Sequence, residues 1–204
     1  MATGPQWLAW CGRVGRIRTL CRVLKAEENP PIIWPQDRQI ADFAGTWWVA
    51  HTKSRNEKAL AWQMLHKEIT YFLPMNWKVS RCRERTVRSL LPLFTGYVFF
   101  CGGEDDRLEV LKTNRVAGLI TVSDQPGLLR DLAPIERLLR QGAPLQPHPY
   151  LKRGQRCRVI AGPLMGIEGI VVRAMERARL VLQVEMLGQA TSVEIDGDLV
   201  EAVE

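Results

Sequence analysis

Residues 143–149, Ala143-Pro144-Leu145-Gln146-Pro147-His148-Pro149, divide this chain more sharply than any other stretch. Three prolines in seven residues fix φ and remove backbone donors, so no helix runs through and the segment reads as a stiff linker. Before it, apolar residues recur at both helical and strand spacings. After it the period is two: Leu180, Leu182, Val184 and Met186 point one way, and Arg179, Gln183 and Glu185 the other. The expected organisation is therefore a unit over residues 46–142, a linker over 143–150 and a second unit over 151–204.

The second unit reads as a small closed β-barrel, with short strands near 156–160, 167–172, 179–187, 191–195 and 199–203. Its first connection, Ala161-Gly162-Pro163-Leu164-Met165-Gly166-Ile167-Glu168-Gly169, is rich in glycine for tight turns. Leu164 and Ile167 are expected to be exposed there, on a presentable binding loop.

In the first unit, Thr46-Trp47-Trp48-Val49-Ala50-His51 reads as a strand. Ser54-Arg55-Asn56-Glu57 has the spacing of a capping box and opens a helix with the stripe Leu60, Ala61, Met64, Leu65; Trp62 falls at its rim. A second strand, 70–79, is broken by Pro74. A third runs up through Val87 to Phe100 and contains Pro92-Leu93-Phe94-Thr95-Gly96-Tyr97-Val98-Phe99-Phe100, read as one buried strand with a glycine inside it. The hairpin between them carries Lys78, Arg81, Arg83, Arg85 and Arg88, a basic edge suited to phosphate. A short helix over 105–113, a strand over 116–122, a turn at 123–127 and a helix over 132–139 complete an α+β sandwich with helices on one side of a mainly antiparallel sheet.

Residues 1–45 stand apart. Arg13, Arg16, Arg18 and Arg22 interleave with Val14, Ile17, Leu20 and Val23 at nearly helical spacing, and the arginines interrupt the one stretch resembling a secretory signal. Asn29-Pro30-Pro31 and Trp34-Pro35 then forbid helix, so the region reads as a weakly ordered extension.

The net charge of +6 favours an anionic partner such as nucleic acid. No apolar run approaches the roughly 18 residues of a spanning helix, so nothing is placed in a membrane. The five cysteines have neither zinc nor disulfide spacing, pointing to a reduced, cytoplasmic protein. His51, His66 and His148 are scattered; no catalytic constellation and no cofactor motif is present, and the expectation is a non-enzyme.

Two segments together resemble one family. Trp47-Trp48-Val49 with Pro92-Leu93-Phe94-Thr95-Gly96-Tyr97-Val98 is similar to the amino-terminal (NGN) domain of NusG-type transcription elongation factors, and residues 159–169 resemble their KOW motif, as residues 187–194 resemble the end of that barrel. The resemblance implies an NGN-type sandwich followed by an SH3-like KOW barrel. It implies a monomeric factor that docks on the RNA polymerase clamp, here through Val49, His51, Phe94, Tyr97 and Leu119, and that suppresses pausing or termination. The basic hairpin would then face upstream DNA or nascent RNA, and Leu164, Ile167, Met186 and Leu187 would form a KOW surface for a ribosomal protein or Rho. Thr95 stands where the family usually has proline, and Asp106-Arg107-Leu108 lacks the His-Thr-Thr element of RfaH-type antiterminators, so a specialised paralogue is expected. A ribosome-associated or RNA-binding KOW protein is the alternative.

Overall fold

The computed structural model describes residues 28–82, 85–148, 155–174, 177–195 and 199–203. The basic amphipathic pattern of residues 13–23 lies outside them.

Five strands form the first sheet: β1 (Ile33–Trp34), β2 (Thr46–Thr52), β3 (Thr70–Phe72), β6 (Tyr97–Gly102) and β7 (Val116–Thr121), in the order β1-β3-β6-β2-β7 and antiparallel throughout. Between β3 and β6 the chain makes β4 (Met75–Cys82) and β5 (Arg85–Pro92), which pair only with each other as a two-stranded ribbon. Three helices complete the unit: α1 (Glu57–His66), α2 (Glu104–Lys112) and α3 (Gln125–Arg140).

Helices cover both faces of this sheet, not one as the sequence led us to expect. Trp47, Val49, Phe99 and Cys101 face a core built with Leu128, Leu132, Ile135 and Leu138 of α3. Trp48, Ala50, Val98 and Phe100 face a second core with Leu60, Ala61 and Met64 of α1 and Val110 of α2. A strand buried on both sides has no solvent-facing residues, which is why 47–50 and 98–101 are apolar without alternation.

Several local expectations change. The strand expected over 92–100 is two elements: β5 ends at Pro92, residues 93–96 turn, and β6 begins at Tyr97. Pro74 likewise separates β3 from β4, which belong to different sheets. A capping box at Ser54 does not form; Asn56 precedes α1, and the Glu57 carboxylate is spent elsewhere. Helix α3 starts seven residues before the expected 132, because Asp124 caps it by accepting from the Gly127 N–H at 2.9 Å and Pro126 sits in its first turn, where a missing donor costs nothing.

Residues 28–45 are not loose. Ile40 is fully buried, its N–H bonded to the buried Glu136 carboxylate of α3 at 3.1 Å, and Ile33 pairs with Phe72. The proline-rich segment is also structured: Leu145 is fully buried, and β8 (Gln146–His148) pairs with β12 (Gln189–Ile195). An edge strand tolerates Pro147 because one row of its backbone groups has no sheet partner to satisfy.

The C-terminal residues add β9 (Gln155–Val159), β10 (Glu168–Ala174), β11 (Arg177–Val184) and β13 (Val200–Ala202), giving a six-stranded antiparallel sheet in the order β13-β9-β10-β11-β12-β8. Its inner side chains, Val159, Ile167, Leu180, Leu182, Val184 and Val193, join the same core that α3 makes with the first sheet. The whole is α+β, with antiparallel sheets, three helices and a separate small β unit at the C-terminal end.

Candidate functional site

The five residues expected to meet a polymerase separate into two groups. Val49 is fully buried and Phe94 is 1% exposed, so neither presents a surface. Phe94 lies in the 93–96 turn and points inward, its ring edge-on to Phe99 with centroids 6.1 Å apart. A strand passing straight through would have put Phe94 on the face of Val98 and Phe100, toward the core of α1 and α2; the turn places it instead in the core that α3 builds.

His51, Tyr97 and Leu119 remain at or near the surface. His51 on β2 is the register partner of Tyr97 on β6, and their rings stack at 5.2 Å with an interplanar angle of 28°. Leu119 on β7 pairs with Ala50, one residue along, and is half-buried. The sheet therefore pairs an exposed imidazole with a half-buried phenol ring at one end of β2, while Leu119 shares the opposite face with Ala50, against the core of α1 and α2.

What holds this end in place was not legible in the sequence. Tyr97 N–H donates to Phe94 C=O at 3.2 Å and Gly96 has φ +85°, the geometry of a type II turn whose third position requires positive φ. Thr52 N–H donates to Gly96 C=O at 2.8 Å, and Gly96 N–H donates to the buried Glu57 carboxylate at 2.7 Å. The first residue of α1 thus pins the turn that sets Tyr97 against His51. A Cβ on Gly96 would also lie 3.7 Å from the His51 ring.

The ribbon is the second feature. Its base is anchored: Met75 and Leu93 are buried, Leu93 N–H donates to Pro74 C=O at 2.8 Å, and Lys58 Nζ donates to Leu90 C=O at 2.5 Å and to Asn29 Oδ1 at 2.6 Å. Burial lowers the pKa of that ammonium, with Glu57 pulling the other way. Beyond the base exposure among the described residues climbs to 45% at Trp77 and 57% at Val79. Of the basic residues expected to contact nucleic acid, Lys78 and Arg88 are exposed, and the Arg88 guanidinium lies 5.8 Å from the centre of the Trp77 ring. Arg81 and Arg85 sit in the ladder opposite Thr86 and Cys82. Arg83 lies outside the described residues. Trp77 escaped the sequence reading as a site residue, although a tryptophan in the polar alternation Asn76-Trp77-Lys78-Val79-Ser80 signals an uncovered face.

The expected KOW surface is largely turned inward. Ile167 is 2% exposed, contrary to the expectation of a free loop residue, and Leu164, Met186 and Leu187 are half-buried against the shared core. Strand β9 and the loop fold back on each other, with Gly166 N–H and Val159 N–H bonding Val159 C=O and Ile167 C=O, and this draws Ile167 under the sheet. Helix α3 lies alongside: Gln141 Nε2 donates to Pro163 C=O at 3.2 Å, and Asp131 accepts from Glu185 N–H at 3.0 Å, its pKa raised chiefly by burial. Among the described residues of this region, Ile160 and Met165 are exposed large apolar side chains, which the sequence had not singled out. Among the described residues, no three His, Cys, Asp or Glu side chains gather where they would hold a metal ion.

Residues 45–138 match the family described as transcription termination factor nusG. Among solved structures, the chain is similar to one in a crystal structure of an MjSpt4:Spt5 complex, conformation B, at 18% identity over 78% of this chain and 97% of that one, with a TM-score of 0.24.

Proposed function

The chain carries a NusG-family domain over residues 45–138, and from this premise we propose that it is a non-enzymatic, cytoplasmic transcription elongation factor that binds RNA polymerase through that domain. The observation that carries the reading is the His51–Tyr97 stack at the end of a sheet whose two faces are closed by helices. Aromatic side chains held rigidly at a rim suit a partner helix, because little conformational entropy is lost when they are covered. The partner surface is the polymerase clamp. A ligand that prefers one clamp state shifts the population toward it, so docking by itself favours processive elongation and opposes pausing or termination.

Binding to isolated polymerase clamp helices tests this. Replacing His51 and Tyr97 together by alanine is expected to weaken binding by about tenfold or more, the scale of lost interface anchors. Unchanged affinity in the double variant would sink the assigned surface, and co-sedimentation with ribosomes in preference to polymerase would favour the ribosome-associated reading. Phe94→Ala is not a suitable probe, since its effect would come through the core.

A further inference from the structure

Residues 31–40 form a strap that precedes the segment matched to the family and is fixed at two places. At one, the Tyr71 hydroxyl donates to Pro31 C=O at 3.1 Å, Leu73 N–H donates to Ile32 C=O at 2.7 Å, and Ile33 pairs with Phe72. At the other, Ile40 N–H donates to the Glu136 carboxylate at 3.1 Å and the Arg140 guanidinium donates to Arg38 C=O. Between the strap, β3 and the C-terminal end of α3 lies a cavity of about 350 Å³. Ile32, Ile33, Phe72 and Leu139 give it apolar walls, and Gln36 and Arg140 stand exposed at its mouth.

We propose that this cavity binds a small monocarboxylate with an apolar body, Arg140 holding the carboxylate while the strap and α3 enclose the rest. The site is independent of the polymerase contact, since one of its walls comes from residues outside the family match.

Size, polarity and charge each narrow the ligand. At roughly 30 Å³ per non-hydrogen atom, the space a water molecule takes in the liquid, the cavity holds about ten to twelve such atoms. That exceeds the voids close packing leaves, and apolar walls with a few polar groups at one side are the usual form of a small-ligand site. The polar groups select the charge. Glu136 is buried and both its oxygens are engaged, Oε2 by Ile40 N–H and Oε1 by Arg140 Nε at 2.8 Å, so a ligand cation would have to compete with two donors already in place. Arg140 uses Nε on Glu136 and one terminal nitrogen on Arg38 C=O; among the described residues its other terminal nitrogen has no partner, and a carboxylate can pair with it. Those two bonds also fix the guanidinium, so little freedom is lost when a ligand engages it. Arg38 and Arg137 are exposed on the strap and on α3 and add positive charge, against the one exposed acid of the strap, Asp37.

Isothermal titration calorimetry tests this with the full chain and octanoate, hexanoate, octanamide and octylammonium, each below its micelle range. Octanoate is expected to bind most tightly. Hexanoate, shorter by two methylenes, should bind about fifteenfold more weakly. Octanamide has the same shape without the charge and should bind about tenfold more weakly, the difference between a charge-assisted and a neutral hydrogen bond. Octylammonium should not bind. Arg140→Gln should abolish the preference for octanoate over octanamide while binding octanamide as wild type does, which also shows that the variant is folded. Leu139→Trp, which fills the cavity with an indole, should abolish octanoate binding and leave clamp-helix binding intact. The proposal would be overturned by any of four results: no binding of octanoate, octylammonium binding as tight as octanoate, equal affinity for hexanoate and octanoate, or either variant binding octanoate as wild type does.

Discussion

The turn at residues 93–96 and the ribbon at residues 75–92 meet at Pro92 and treat their aromatic side chains in opposite ways. Phe94 is 1% exposed and Trp77 is 45% exposed, although both lie in sequence that reads as strand. The difference is one of coverage. The turn is overlain by the core that α3 builds, while none of the helices among the described residues is seen to cover the ribbon where Trp77 and Val79 are exposed. Composition alone does not predict burial; a neighbour on the far side does. A surface aromatic in such a protein is therefore more informative than a buried one, since its exposure is not explained by packing.

That contrast is breakable. The largest effect is expected from Phe94→Ala, which leaves a ring-sized cavity against Phe99: a loss of about 3–5 kcal/mol in urea unfolding. An effect near zero would mean that the turn is not packed as described. Next is Glu57→Ala, which strips the acceptor from the Gly96 N–H and should cost about 1–3 kcal/mol. Glu57→Gln, which keeps an acceptor oxygen, should recover most of it. If the alanine variant loses clamp binding beyond its loss of stability, the bond also positions Tyr97. The smallest effect should come from Trp77→Ala, within about 0.5 kcal/mol of wild type, as expected for a side chain that covers little. A larger loss would show that the indole caps the ribbon base.

Much of the first unit was legible. The strand at 46–51 follows from its aromatic and β-branched content, and the stripe of α1, the helix near 105–113 and the strand near 116–122 were likewise read from local sequence. The places where the reading failed share one cause. Phe94, Val49 and Ile167 were taken for contact residues, yet each is covered by a segment far away in the chain. The proline-rich segment looked like a linker because prolines forbid helix, but at a sheet edge the same prolines are harmless. Residues 28–45 looked loose because their partners, Phe72 and Glu136, lie about forty and a hundred residues on.

The sequence by itself determined that the chain is α+β, that its second part is β-rich and that positive charge gathers on one hairpin as well as in the first 26 residues. These depend on periodicity and composition, which are local. Only the tertiary structure decided that helices close both faces of the first sheet, that α3 lies between two sheets, and that Glu57 holds the turn carrying Tyr97. Burial is a pairwise property: a residue is inside only when something distant covers it, and periodicity within a single strand does not say what that is. For the same reason the sequence indicated that the basic ribbon exists, and only the fold left Trp77 on it uncovered.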